Sequence, residues 1–574
     1  MTGSKIALNV RENLPNLWKE GALFAFSGYD GQTDSYSQFV ATVGEGTYSL
    51  LFHTPQRRRL QFLVPHAGVV QIATGDVLVT ESEESPLLAV YQSWHTLIGN
   101  APSSVDIVLS FEEEDGGKAW ADDSLFITES ANGQDVIVLL RVKERWALSY
   151  GRQREEAVSR VVKGLSYDSL EEIEARLQYY QLAPRLHDPM KERLLFKCFS
   201  VMKVNTLASE GVIRQHWSTP DRVPHKAMWL WDSVFHSLAM NLLNPELSWH
   251  FLKSVLDTQR DDGMIPHTYK VDGSGSGITQ PPILAWGVWE NYRHTKQSSH
   301  LRYALPILER YVNWDITHRD RNGNGLLEWM IEGNPLCRSG ESGMDNSPRF
   351  DQAAVLDAVD FSVFVAQDAY FIGLIADELG ETELAQYWQR KAFDMTSQIQ
   401  DLLWDEREGF YFDRDMDGNF TRVKAVSGFL PLLLHTIPQE RTDKLISMLQ
   451  DTQHFQTKFP IPTTAASEKT YSTDMWRGPV WMNMNYLVYI GLKRQGRNEE
   501  ADKLAQQSIE MVQKYYEQFG VIFEYFDSAD DVPPVACDRK GPHRGNYNIR
   551  QKMDVVRDFH WSAALTACLL MEQA

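Results

Sequence analysis

Residues Leu379-Gly380-Glu381-Thr382-Glu383 join two apolar-periodic segments through a very short link. The first of those segments begins near Asp351 and is reached differently, through a long link that carries Gly340-Glu341-Ser342-Gly343-Met344-Asp345-Asn346-Ser347-Pro348-Arg349. The same asymmetry recurs from Asp188 to the end of the chain. Twelve segments with apolar residues at helical spacing begin near Asp188, Trp229, Pro245, Gln280, Ser298, Asp351, Glu381, Lys424, Pro438, Gly478, Asn498 and Asp558. Links into the odd-numbered segments are mostly short, as between Leu243 and Glu246, whereas links into the even-numbered ones are mostly long and rich in Gly, Asp and Trp. Helices paired in this way predict an all-α (α/α)6 toroid of six helical hairpins. All its long loops then lie on one rim, at the N-termini of the inner helices. Loops carry function, and helix N-termini favour negative groups.

Before Asp188 the texture is different. Runs such as Gln38–Val43, Tyr48–Phe52 and Val136–Leu140 are short, rich in β-branched and aromatic residues, and punctuated by Gly, Asp, Asn and Pro. They predict an N-terminal all-β, sandwich-like domain over 1–165. A linker helix, roughly Ser169 to Tyr180, is expected within 166–187, and the toroid over 188–574.

The 574 residues suffice for two or more domains with a large core. With 77 Asp and Glu against 56 Lys and Arg, the net charge of −21 argues against nucleic acid and anionic membrane as partners. The 17 Trp and 22 Tyr offer flat faces that suit sugar rings, although core packing uses the same residues. Cys198, Cys337, Cys537 and Cys568 are scattered, with no CxxC pair, and read as reduced structural residues. No basic stretch followed by an apolar run opens the chain, and no 18-residue apolar stretch appears, so no membrane span and a cytoplasmic location are expected.

The rim loops hold a coherent set of side chains. Trp229-Leu230-Trp231-Asp232-Ser233 precedes the second helix, and Asp262-Gly263-Met264-Ile265-Pro266-His267 with Gln280-Pro281-Pro282 precedes the fourth. Asp345 precedes the sixth, Trp476-Arg477-Gly478-Pro479-Val480-Trp481 the tenth, and Phe523-Glu524-Tyr525-Phe526-Asp527 the last. Taken singly, each has a plainer reading: Asp345 and Asp232 as turn or helix caps, the tryptophans as core, His267 as a hydrogen-bonded structural histidine. Their convergence on one rim suits a polyhydroxylated ring, with Trp faces to stack and acids and amides for hydroxyls.

In that order these motifs resemble glycoside hydrolase family 63 and its (α/α)6-barrel relatives, among them processing α-glucosidases and mannosylglycerate and glucosylglycerate hydrolases. The resemblance covers the chain from about Asp188 onward. It implies Asp345 as general acid and Glu524 as general base of an inverting hydrolysis, two carboxyl groups about 6.5–9.5 Å apart. Trp229, Asp232, Gln280 and Trp476 would hold the sugar, with Trp231, His267, Arg349, Arg477 and Trp481 as further substrate contacts. For Asp345 to donate a proton near neutral pH, burial among Trp faces and other acids should raise its pKa. Met344 stands where the family usually has Trp. The residues after Tyr525 depart from the family pattern, which leaves Asp527 and Glu517 as fallback bases.

The segment from Asp531 to Asp554, with Arg539, Lys540, Arg544 and Arg550, is locally basic. It reads as a solvated loop, the alternative being a lid or a contact for an anionic aglycone such as a glycerate. Two loops space oxygen ligands at every second residue, Asp320-Arg321-Asn322-Gly323-Asn324-Gly325 and Asp413–Gly418. Some family members bind calcium at the former, so Asp320, Asn322 and Asn324 are candidate ligands of a structural calcium, although Asn-Gly turns explain the pattern equally well; no other cofactor is expected. The function expected is an inverting exo-α-glycosidase, an α-glucosidase acting on a small α-glucoside or oligosaccharide. The alternatives are a mannosylglycerate- or glucosylglycerate-type hydrolase, a sugar epimerase, or an inactive sugar-binding protein on the same toroid.

Overall fold

The computed structural model describes residues 8–46, 48–65, 68–81, 85–113, 116–122, 124–543 and 554–574. Arg544 and Arg550 lie outside them. Two antiparallel sheets form the N-terminal region. One has five strands, in the order Leu23–Phe24, Ala41–Val43, Ser49–Phe52, Arg58–Leu63 and Asp106–Phe111. The other has eight, running from Lys118–Ala121 through Val136–Val142, Arg145–Gly151 and Thr96–Asn100 to Val70–Ala73. The period of two is plain in Arg58–Leu63: Arg58, Leu60 and Phe62 are buried while Arg59, Gln61 and Leu63 point outward. Phe62 meets Trp146 of the other sheet with ring centroids 5.3 Å apart, so the buried faces of the two sheets pack as a sandwich.

Helix α1 (Arg154–Gly164) follows, where the sequence reading carried the β-domain to residue 165. Its buried residues are few, Ala157, Val161 and Gly164, and it lies against the strand Arg145–Gly151. So narrow an apolar stripe gives little helical period to read. Helix α2 (Ser169–Leu177), capped by Asp168, and a 3-10 turn to Leu182 form the expected linker.

The twelve anticipated helices follow. They are α3 (Pro189–Val204), α4 (Leu230–Met240), α5 (Pro245–Leu256), α6 (Leu284–Thr295), α7 (Ser298–Arg319), α8 (Val359–Glu378), α9 (Thr382–Leu402), a 3-10 helix (Val426–Leu433), α10 (Gln439–Leu449), α11 (Met482–Arg494), α12 (Asn498–Phe519) and α13 (His560–Glu572). The eighth is 3-10 rather than α because Pro431 inside it cannot donate and Gly428 weakens it. The sixth begins at Val359 rather than near Asp351, since the chain bends through residues 351–355 and Asp357 bridges to Glu328 and Arg414. Helices α4, α6, α8, the 3-10 helix, α11 and α13 touch in sequence, and α13 touches α4, which closes the inner ring. The outer helices α9 and α12 carry one buried face each.

Helix α3 is buried along most of its length because α13 packs against it and the β-domain touches it as well. Its Lys203 is fully buried and donates to Asp76 at 2.6 Å and Asp30 at 2.9 Å, both from the sandwich. Helix α8 corrects the reading that no long apolar stretch exists: it is long and apolar enough, by composition alone, to cross a membrane, but 89% of that window is buried inside the toroid. Its Asp368 accepts the backbone N–H groups of Ala285 and Trp286 and so caps α6, and burial pushes that carboxyl up to about 8.

Candidate active site

The long loops open on a cavity of about 280 Å³ at the N-terminal rim of the inner ring. Trp229, Trp231, Asp232, His267, Gln280, Asp345, Trp476, Trp481 and Glu524 all line it. They come from five different loops, and each loop is fixed by backbone bonds that explain its position. Trp229 is the N-cap of α4, and the first free N–H groups of that helix donate to the His267 carbonyl and to Gln280 Oε1. Asp232 sits in the first turn, buried, and its Oδ2 has no partner among the described residues. Burial holds that carboxyl well above its usual range.

The walls are aromatic. Trp476 stacks on Trp481 at 3.9 Å, Trp481 stacks on Tyr525 at 4.9 Å, and Trp561 meets both Trp231 and Trp481 edge-on. Trp229 meets His267 edge-on at 4.8 Å. Burial lowers His267 to about 4, so its ring is neutral at pH 7. The acid loop needs Gly343 against this wall: its φ is +71°, and a Cβ there would fall 2.3 Å from the Trp231 ring.

Asp345 is carried by a loop pinned from below. Glu341, fully buried, pairs with Arg319 at 2.7 Å and accepts the N–H groups of Thr279 and Met330. The Asp345 carbonyl accepts from the backbone of Arg338 and Ser339. Its carboxylate receives Lys540 Nζ at 2.7 Å, and the pair is open to solvent, with about a quarter of each side chain accessible. Burial alone would push the Asp345 carboxyl up. The Lys540 ammonium, helped by Arg539, outweighs burial and holds it below the ordinary range. The expected upward shift is thus reversed, because the sequence reading placed no cation beside the acid.

Glu524 lines the same cavity from the loop before α13. Arg539 grips it from both sides, Nε to Oε2 at 2.9 Å and Nη2 to Oε1 at 3.0 Å, and Val556 N–H donates to Oε2. This pair is sealed, with 3% and 4% of the side chains accessible. The fallback bases stand elsewhere. Asp527 accepts the N–H groups of Ala529, Asp531 and Val532 as a turn former, and Glu517 is exposed on α12.

Two expected substrate contacts lie behind the wall instead. Arg349 is buried between Asp360 and Asp413, with both pairs closing to 2.7 Å. Arg477 pairs with Asp351 and donates to the Asn346 carbonyl, while Asn346 Oδ1 accepts from Trp476 N–H. Both arginines position the acid loop and do not line the cavity. At the candidate calcium loop, Asp320 Oδ2, Asn322 Oδ1 and Asn324 Oδ1 accept turn N–H groups, and both Asn amides donate to Asp357. Asparagine turns account for these contacts, while Asp320 Oδ1 is buried without a partner among the described residues. Among the described residues no group of three or more His, Cys, Asp or Glu side chains is placed to hold a metal.

Comparison with known proteins fits this geometry. A family model described as the mannosylglycerate hydrolase MGH1-like glycoside hydrolase domain matches residues 224–562, more than half of the chain. The chain belongs to this family.

Its relatives are distant. An uncharacterised protein of Borreliella burgdorferi is 33% identical over 218 residues, 38% of this chain and 44% of that protein's length. Mannosylglycerate hydrolase MGH2 of Selaginella moellendorffii is 26% identical over 418 residues, 58% of this chain and 83% of its own. Among solved structures, the family 63 mannosylglycerate hydrolase of Thermus thermophilus in complex with glucose superposes with a TM-score of 0.53 and 25% identity, covering 66% of this chain and 100% of that one. In this MGH1-like domain the family match contains every cavity-lining residue named here.

Several lining residues were absent from the sequence reading as site residues: His225, Cys337, Arg539, Lys540 and Trp561. His225 is held by Asp221 at 2.7 Å. Trp561 lies inside α13 and not on a rim loop. Arg539 and Lys540 were counted as part of a solvated basic loop, yet both turn inward. The signal available was that two adjacent cations follow the base within one insert of an otherwise acidic chain.

Proposed function

We propose that this protein is an inverting, exo-acting α-glycosidase whose substrate is a small α-hexoside with an anionic aglycone, of the glucosylglycerate or mannosylglycerate type. The observation that carries this reading is the convergence of Asp345 and Glu524, from two different rim loops, on one small aromatic cavity. Its volume is at the lower end for small-molecule sites, which suits one sugar and a short aglycone better than a long oligosaccharide. Asp345 donates the proton to the departing oxygen. Glu524, aimed by Arg539, takes a proton from the water that attacks the opposite face of the sugar. The unpartnered Asp232 oxygen and Gln280 take sugar hydroxyls, and the Trp walls exclude bulk water. Lys540, the accessible cation at the acid, supports a carboxylate on the leaving group over the neutral glucosides and oligosaccharides of a processing α-glucosidase.

Initial rates on glucosylglycerate, mannosylglycerate, glucosylglycerol, kojibiose, maltose and trehalose, read as released hexose, test this directly. The glycerates should exceed glucosylglycerol, the neutral analogue, by about tenfold or more in kcat/KM, the worth of one charge-assisted hydrogen bond. A neutral glycoside hydrolysed as fast as either glycerate would remove the anionic-aglycone reading.

A further inference from the structure

The turn Asp538-Arg539-Lys540-Gly541 presents two consecutive cations to the two carboxylates of the cavity. It is built for this. Lys540 N–H and Gly541 N–H donate to the Asp474 carboxylate at 2.8 and 3.2 Å. Arg539 N–H donates to the Gly541 carbonyl, and Tyr525 Oη–H to the Asp538 carbonyl at 2.6 Å. Lys540 takes a left-handed φ of +53°, which lets neighbouring side chains both face the cavity. The two ion pairs differ in kind. Arg539–Glu524 is bidentate and sealed, so its partner cannot be exchanged. Lys540–Asp345 has one contact and is partly open to solvent, where an ion pair is cheap to exchange.

We propose that Lys540 is an exchangeable counter-ion: it pairs with Asp345 while the site is empty and passes to the carboxylate of an anionic aglycone when substrate binds, which frees Asp345 to take up the proton it donates. This rests on the function proposed above and adds to it a gate on the acid. When Lys540 turns to the ligand, Asp345 loses its closest cation and gains a nearby anion. Both changes favour its protonated form, and of the cations named only Arg539, held on Glu524, still opposes burial. The proton comes from solvent at binding and leaves on the aglycone oxygen. The other groups facing Asp345 do not substitute for Lys540. Arg539 stays on Glu524, His267 is neutral, and Cys337, whose thiol burial and the neighbouring Asp345 push up to about 12, has no charge to give.

Calorimetric titration of the full-length protein with D-glycerate tests the exchange. Runs near pH 6.5 in two buffers of different ionisation enthalpy give the protons taken up on binding, and glycerol serves as the neutral control. The wild type should bind D-glycerate with uptake of up to about one proton. Asp345→Asn should bind it more tightly, since Lys540 no longer has a competing partner, and with no uptake. Lys540→Met should bind about tenfold or more weakly, and Lys540→Arg should restore both binding and uptake. Binding without linked uptake, uptake that persists in Asp345→Asn, or no D-glycerate binding by the wild type would each overturn the proposal. These readouts need no turnover. Uptake as described in a protein that hydrolyses none of the glycosides supports the exchange while the hydrolase reading falls.

Discussion

Asp345→Asn should leave a folded protein whose kcat on its best natural glycoside is lower by about 10²–10⁴-fold, the usual worth of general acid catalysis. The amide matches the carboxylate in shape, and the anchors of the acid loop, Glu341 to Arg319 and the Asp345 carbonyl to Arg338 and Ser339, are untouched. The released partner, Lys540, has 28% of its side chain in solvent, so stability should change by less than about 1 kcal/mol. The deficit should shrink on a glycosyl fluoride, whose leaving group needs little protonation. An equal deficit on both substrates would mean that Asp345 orients the sugar instead of donating a proton. A loss below tenfold on the natural glycoside would remove it from the mechanism.

The second large effect is on stability. Arg349 bridges Asp360 and Asp413 with about 1% of its side chain exposed. Asp413 also accepts the N–H of Val359, the first residue of α8, and Asp360 accepts Trp329 Nε1–H. Arg349→Met strands two buried carboxylates and should cost about 3–5 kcal/mol, read as an earlier urea transition of the toroid. The pH dependence gives the sign. Burial would push the Asp360 carboxyl up, but Arg349 outweighs it and holds Asp360 below the ordinary range. That stabilisation is therefore present above the unfolded-state pKa and is lost as pH falls through the folded-state value. The gap between wild type and variant should be widest near pH 7 and narrow as pH falls below about 4, the ordinary Asp value. A variant as stable as the wild type at pH 7, with weakened substrate binding, would instead return Arg349 to the cavity.

The toroid was legible because its signal is repetitive. Apolar spacing gives each helix, and the alternation of short and long links orders them into hairpins with one busy rim. Where a single residue overrides the period, the reading slips: Pro431 turns the eighth helix into a 3-10 helix, and the Asp357 bridges delay α8 to Val359. Trp229 and Asp232, at the start of α4, carry a positional signal, and Asp345 carries one through its place on the long link before α8. Arg349 and Arg477 share that position, but their side chains turn away from the cavity, and only the partners Asp360, Asp413 and Asp351 reveal it. Arg539 is 15 residues beyond Glu524 in a segment with no period, so nothing local ties it to the base. The same gap hid Lys540, and with it the reversed pKa shift of Asp345.

The most direct test of the central claim, two carboxylates acting from opposite faces of one sugar, is the anomer first released. Proton NMR during hydrolysis of an α-linked glucosylglycerate or mannosylglycerate, at enzyme concentrations that outrun mutarotation, reads it. The account predicts the β-sugar first, with the α-anomer growing in only as the product equilibrates. The α-sugar first would mean retention, which requires a carboxylate close enough to attack the sugar itself, and would contradict the role given to Glu524.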